Sequence, residues 1–217
     1  MIETSITIGG FVIYEPTTVF TDLLISILCL IFIKKIKNKS SATNNWKLFF
    51  AFFSLATFIG ACSHAFFKEH TGATYNFFWL SMQVLNMISV FFAQQGTYYS
   101  VLVTKPHSHL WRISYYLQLI LFVSSVFIFH NFIVVVIDNA IGLIPIMIVY
   151  YLHKDDNVGY KFISGGILIS FFTAFIHGAK LSLHAYFNQN DISHCLLMIS
   201  LYYMYIGVKK FPNTISK

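Results

Sequence analysis

Charge is the scarcest property of this 217-residue chain: Asp, Glu, Lys and Arg together make up 10% of it. No ordinary soluble domain has a surface built from so little charge, and the 57% hydrophobic and 18% aromatic content completes the exclusion. Cysteine is sparse as well. Cys29, Cys62 and Cys195 form an odd set without metal-type spacing, each inside an apolar stretch, so no disulfide framework is implied. Small apolar packing is their ordinary role, although Cys62 and Cys195 lie near His64 and His194 in sequence, which leaves a thiolate ligand open. No soluble domain, no repeat of obvious period and no low-complexity segment interrupts the chain. Its net charge of +6 is scattered over loops without any aromatic-interleaved basic motif, which argues against nucleic acid as a partner.

What remains is apolar sequence in seven stretches, about 17–37, 46–67, 75–97, 111–129, 132–152, 161–187 and 191–208, each long enough as a helix to cross a hydrocarbon core of roughly 30 Å. The chain therefore reads as one all-α domain, a seven-transmembrane-helix bundle integral to the membrane. The first stretch has no basic leader and no small-residue cleavage pattern, and the run Lys34, Lys35, Lys37, Lys39 after it acts as a stop-transfer signal rather than the end of a signal peptide. Lys34, Lys35, Lys37, Lys39, Lys47, Lys105, Arg112, Lys154, Lys161, Lys209, Lys210 and Lys217 fall on the side reached after helix 1, leaving Lys68 and Lys180 toward the other. By the positive-inside rule the N-terminus is outside and the C-terminus cytoplasmic, which suits a multi-pass protein of the plasma (cytoplasmic) membrane.

Ahead of helix 1, Thr4 to Tyr14 alternates polar and apolar residues around Gly9-Gly10, the pattern of a short β-hairpin with a two-residue turn. Such a hairpin is too unstable to stand alone and is expected to cover the outer mouth of the bundle. Glu15-Pro16 then opens helix 1, where the missing proline N–H costs nothing.

Polar groups inside a membrane are expensive and usually serve a site. At a rise of about 1.5 Å per residue, His64 at the end of helix 2, His194 one turn into helix 7 and His184 one turn below the outer end of helix 6 share one layer, with His177 roughly 10 Å deeper on the face of His184. Asp191 lies one turn above His194, and Asp22 and Asp138 also occupy the outer half. Imidazoles and carboxylates converging in this way are what a zinc site requires, since Zn2+ takes three nitrogen or oxygen ligands and keeps one position for water. His70, His107, His109, His130 and His153 sit nearer the interface and read as residues bonded to helix-end carbonyls. Tyr202, Tyr203 and Tyr205 read as packing and interfacial aromatics.

The segments Gly60-Ala61-Cys62-Ser63-His64 and Asn190-Asp191-Ile192-Ser193-His194-Cys195, followed by the Tyr-rich end Tyr202 to Gly207, resemble those of the CREST superfamily, which includes alkaline ceramidases and the progestin and adipoQ receptors. The resemblance implies seven helices and a zinc ion held by one histidine of helix 2 and two of a HxxxH motif in helix 7, with a nearby serine and aspartate. The match falls on His64 and His194. Asn190 stands where the first histidine of HxxxH would be, Gly60 where the serine would be, and Tyr75 and Asn76 where helix 3 would begin with aspartate. The run from His184 through Phe187, Asn188, Asn190 and Asp191 to His194 marks a divergent, bacterial-type branch, in which His184 or Asp191 supplies the missing ligand.

With zinc bound, the chemistry implied is hydrolysis of a lipid amide or ester at the outer headgroup boundary. Asp191 is then the expected base, and Ser63 or Asn190 the expected oxyanion donor. The structural alternative for Asp191 is a cap on helix 7. Other classes stay open: a b-type haem between two histidines, a proton-coupled transporter using Asp22, Asp138, His177 and Lys180, a retinal-type receptor on Lys180, or a ligand sensor without chemistry.

Overall fold

The computed structural model describes residues 4–38, 40–67, 71–184 and 186–212, so Lys39, Lys68, His70 and Lys217 lie outside the described residues. Among the described residues there are seven α-helices, every one long and apolar enough to cross a membrane, and one two-stranded hairpin. The hairpin pairs β1 (Ser5–Ile8) with β2 (Phe11–Tyr14) in antiparallel register. Gly9 and Gly10 turn it with φ of 58° and 87°, both in the left-handed region a two-residue hairpin turn of this kind requires. β2 packs on helix α2, and the Thr4 carbonyl accepts from the Glu15 N–H at 2.9 Å, tying the hairpin to the start of α1.

The helices are α1 (Pro16–Lys35), α2 (Ser41–Phe66), α3 (Ala73–Thr97), α4 (Ser108–Phe129), α5 (Ile133–Leu152), α6 (Val158–Gly178) and α7 (Gln189–Lys209). A π-helical turn, Tyr98–Leu102, prolongs α3 into a single span. Two boundaries differ from the sequence expectation for local reasons. Helix α2 starts five residues before the apolar pattern because Ser40 and Thr43 form a capping box, each side chain accepting from the other's backbone N–H. Helix α6 stops at Gly178 rather than continuing to residue 187. Lys180 turns left-handed with φ of 51°, and the Leu181 N–H closes back on the Ile176 carbonyl at 3.2 Å, a helix-ending pattern that the apolar content beyond it does not override.

Packing order is legible from the contacts. α1 packs on α2 and α7, α2 on α3, α3 on α5, α5 on α6, and α6 on α7, closing a ring of six helices, while α4 lies outside against α3 and α5. Of the α4 side chains, Tyr115 and Val126 are buried. The α6–α7 seam is the tightest: a Cβ on Gly159 would sit 2.4 Å from the Gly207 carbonyl, and one on Gly207 2.5 Å from the Gly159 carbonyl, so only glycine allows these backbones to meet.

The end of the bundle opposite the hairpin is closed by an aromatic plug. The buried Trp46 Nε1–H donates to Tyr150 Oη at 3.2 Å, Ser100 Oγ lies 2.9 Å from the same hydroxyl, Tyr160 donates to the Ser100 carbonyl, and Phe211 covers both tyrosine rings. Further along, Phe32 stacks on Tyr205 with centroids 4.2 Å apart. Tyr205 is therefore core, while Tyr202 and Tyr203 are exposed on the lipid-facing side of α7.

Candidate functional site

The N-cap and first two turns of α1 present a polar stripe, Glu15, Thr18 and Asp22 spaced to share one face, with Thr21 beside them. That side looks between the end of α2 and the start of α7. There it meets His64, Asp191 and His194, and the histidines and carboxylates of the three helices become one cluster at the hairpin end.

His64 Nδ1 is bonded to Glu15 Oε2. A carboxylate only accepts, so His64 donates from Nδ1, and in the neutral ring Nε2 carries the lone pair. Glu15 holds this pairing from a left-handed backbone, φ 43°. Such a conformation in a non-glycine residue costs of order 1 kcal/mol and marks a place where position outweighs strain.

On the other side, Thr21 Oγ1 lies 3.0 Å from the carbonyls of Thr17 and Thr18 and 2.8 Å from His194 Nδ1. The Thr21 hydroxyl thus fixes the position of His194 Nδ1, and which of the two donates depends on the ring's tautomer. The other ring nitrogen, Nε2, stands 3.5 Å from Asp22 Oδ1, where it either donates its N–H to the carboxylate or shares a cation with it.

Asp22 is 5% exposed, and its carboxylate also reaches α2: a Cβ on Gly60 would lie 3.3 Å from Asp22 Oδ2 and 3.4 Å from Met82 Sδ. Gly60 is one turn before His64 on the same face, so the glycine makes the room in which the Asp22 carboxylate lies between the two histidine-bearing helices. Asp22 and His64 are within electrostatic range of each other. His64, Glu15 and His194 each keep about a fifth of their side-chain surface exposed, which makes the cluster reachable from the hairpin end.

Asp191 belongs to the cluster but is fully engaged. Oδ1 accepts from the Thr18 hydroxyl at 3.0 Å and Oδ2 from the Asn188 N–H at 2.8 Å, completing a capping box on α7. Ser63 is buried on α2, and its hydroxyl has no hydrogen-bond partner among the described residues. Asn190 lies in the first turn of α7, where its N–H donates to the Asn188 side chain.

The other expected site residues lie apart. Because α6 ends early, His184 is an exposed residue of the α6–α7 link, in a small bridge with Phe187 and accepting at Nδ1 from the Tyr186 N–H. His177 is exposed near the end of α6, within electrostatic range of His194. Lys180 is exposed beyond the end of α6 rather than buried inside the bundle. Asp138 sits in α5, hydrogen-bonded to Gln118 of α4 and away from the α1–α2–α7 junction. Cys62 and Cys195 are half-buried free thiols. His107, His109, His130 and His153 all stand at the ends of α4 or α5, and His153 Nδ1 bonds the Val149 carbonyl.

Glu15, Thr18, Thr21 and Gly60 are the members that reading the sequence for histidines passes over. Their signal was the helical spacing of Glu15, Thr18 and Asp22, with Thr21 beside them, in an apolar helix. Tyr75, where the resemblance looks for an aspartate, lies within electrostatic range of Glu15 and packs its ring on Trp79 and Phe67.

Among the described residues, no three His, Cys, Asp or Glu side chains are placed closely enough to hold a metal as they stand. The donor chemistry nevertheless fits one. Both imidazoles have Nδ1 held by an oxygen, the arrangement that aims Nε2 of a metal-ligating histidine. The 3.5 Å between His194 Nε2 and Asp22 Oδ1 is close to the roughly 3.3 Å that separates two ligands of a tetrahedral zinc with bonds near 2.0 Å.

Residues 17–213 match the model of DUF6962, a family of unknown function. No curated protein and no solved structure matches the chain.

Proposed function

We propose that this chain, which belongs to the DUF6962 family, is a zinc-dependent intramembrane hydrolase acting on an amide or ester bond of a membrane lipid. The observation that carries the reading is the paired fixing of His64 and His194: Glu15 and Thr21 each hold an Nδ1, so both rings are set as Nε2 ligands on either side of the α1 carboxylate Asp22. The resemblance to the CREST superfamily supports the same site, with His64 and His194 at its helix 2 and helix 7 positions and Asp22 taking the place that neither Asn190 nor Gly60 fills.

His64, His194 and Asp22 would hold the zinc. When bound, it supplies a Lewis acid for the scissile carbonyl and brings the pKa of a water toward about 7. The chain's own residues do the rest. Glu15 and Thr21 orient the imidazoles. Glu15, partly exposed beside His64, is the carboxylate placed to take a proton at the mouth of the site. Ser63, with its buried hydroxyl still to be satisfied, is the donor for the developing oxyanion. Thr18 and Asn188 keep Asp191 as the pin that sets the depth of α7, and hence of His194, against α1.

The substrate class follows from depth. The cluster lies within one or two turns of the hairpin end of three membrane-length helices, the level at which a lipid's amide or ester linkage joins headgroup to acyl chains. Basic residues gather at the opposite end, so by the positive-inside rule the hairpin end faces outward and the site opens to the outer leaflet of the plasma membrane.

The test is release of free fatty acid, read by mass spectrometry, from mixed micelles holding N-acyl sphingoid and glycerol-ester lipids. Zinc-dependent release from one class, lost in His194→Ala, is expected. No release from any of these lipids by zinc-loaded wild type would contradict the hydrolase reading and leave the cluster as a ligand-binding pocket.

A further inference from the structure

A second polar group lies away from this site, in the seam between α3 and α5. Gln94 Nε2 donates to Gln118 Oε1 at 2.8 Å, and Gln118 Nε2 donates in turn to Asp138 Oδ1 at 2.7 Å and to the Asp138 carbonyl at 3.1 Å. The chain of amides ends on one oxygen of the carboxylate. The other, Asp138 Oδ2, is buried with no hydrogen-bond partner among the described residues, and so are Asn139 Oδ1, Asn86 Oδ1 and Gln83 Oε1. The Asp138 residue is 2% exposed and Gln83 fully buried.

These four oxygens share one stretch of seam. α3 and α5 run in the same direction, and Val90 meets Gly142 closely enough that a Cβ on the glycine would lie 2.4 Å from Val90 Cγ1. One turn toward the hairpin end from that contact come Asn86 on α3 and Asp138 and Asn139 on α5, and Gln83 follows one turn beyond Asn86. Met87, Val134 and Val135 pack in one apolar cluster around the same level. Gly142 also leaves the space in which Gln118 and Gln94 reach the carboxylate, their Nε2 atoms 3.0 and 3.3 Å from where its Cβ would be.

Unpaired acceptors in such a place are costly, and three amide oxygens together with a carboxylate oxygen call for a positive partner. A proton on Asp138 would satisfy one oxygen and leave the three amide oxygens as they are. A divalent ion is matched by several carboxylates, whereas this set carries one negative charge with neutral amide oxygens. We infer that the α3–α5 seam binds a monovalent cation, sodium, through Asp138 Oδ2 with Asn139, Asn86 and Gln83 as neutral oxygen ligands. The ion would lock α3 to α5.

The experiment is thermal unfolding of the full chain in detergent, in NaCl against choline chloride at equal ionic strength. Wild type is expected to gain about 3–6 °C in Tm when sodium stands at ten times its Kd, and nothing in choline. Asp138→Asn keeps the Gln118 bond and the volume and should lose the sodium response entirely. Asn139→Ala, which leaves the carboxylate in place, should raise the half-saturating sodium concentration at least fivefold. Equal Tm in the two salts for wild type would overturn the proposal and leave the seam to water or a proton. A sodium response that survives Asp138→Asn, or that Asn139→Ala does not shift, would overturn it as well.

Discussion

Thr21 of α1 and His194 of α7 are joined across the helix junction, Oγ1 to Nδ1 at 2.8 Å, which turns the opposite ring nitrogen, Nε2, toward Asp22 Oδ1 at 3.5 Å. The predictions below separate the residues that aim this pair from those that only support the helices.

Thr21→Val keeps the shape of the side chain and removes the oxygen bonded to His194 Nδ1. Losing an orienting partner of a metal-ligating histidine usually costs 10- to 100-fold in metal affinity. Zinc titration against a competing chelator should show a loss in that range. Thr21→Ser restores the hydroxyl and should recover most of the affinity, a rescue that a purely packing role would not give.

Asp191→Ala removes the cap on α7 and the bond from Thr18 together. The expected loss is about 2 kcal/mol, read as a Tm lower by about 4–8 °C for a chain of this length. Because both carboxylate oxygens are already engaged, lipid hydrolysis at a temperature where the variant is folded should fall by less than tenfold. A general base would cost 100-fold or more.

His184→Ala should change neither zinc content nor Tm by more than the scatter of surface substitutions, about 0.5 kcal/mol, since the residue is exposed in the α6–α7 link. Zinc lost from this variant would bring the link back into the ligand set.

The seven helices were legible because sustained apolar runs of membrane length admit few alternatives, and the Gly9-Gly10 hairpin because its turn chemistry is local. His64 and His194 were readable as partners from their shared distance to the helix ends. The length of α6 was misread because apolar residues continue past Gly178 while the backbone turns away at Lys180. His184 therefore belongs to the α6–α7 link and not to helix α6. Asp22 was visible only as an isolated acid. Its role depends on α1 packing between α2 and α7 and on Gly60 leaving space, neither of which periodicity reports.

The central claim is a metal ion held by His64, His194 and Asp22, and it is tested most directly by metal content, measured by mass spectrometry on protein purified in mild detergent without chelator. Wild type should carry close to one zinc per chain, and His64→Ala, His194→Ala and Asp22→Asn should each lose it while His184→Ala retains it. Wild-type protein without zinc, unable to take it up on titration, would contradict the claim and leave His194 and Asp22 as a direct hydrogen-bonded pair.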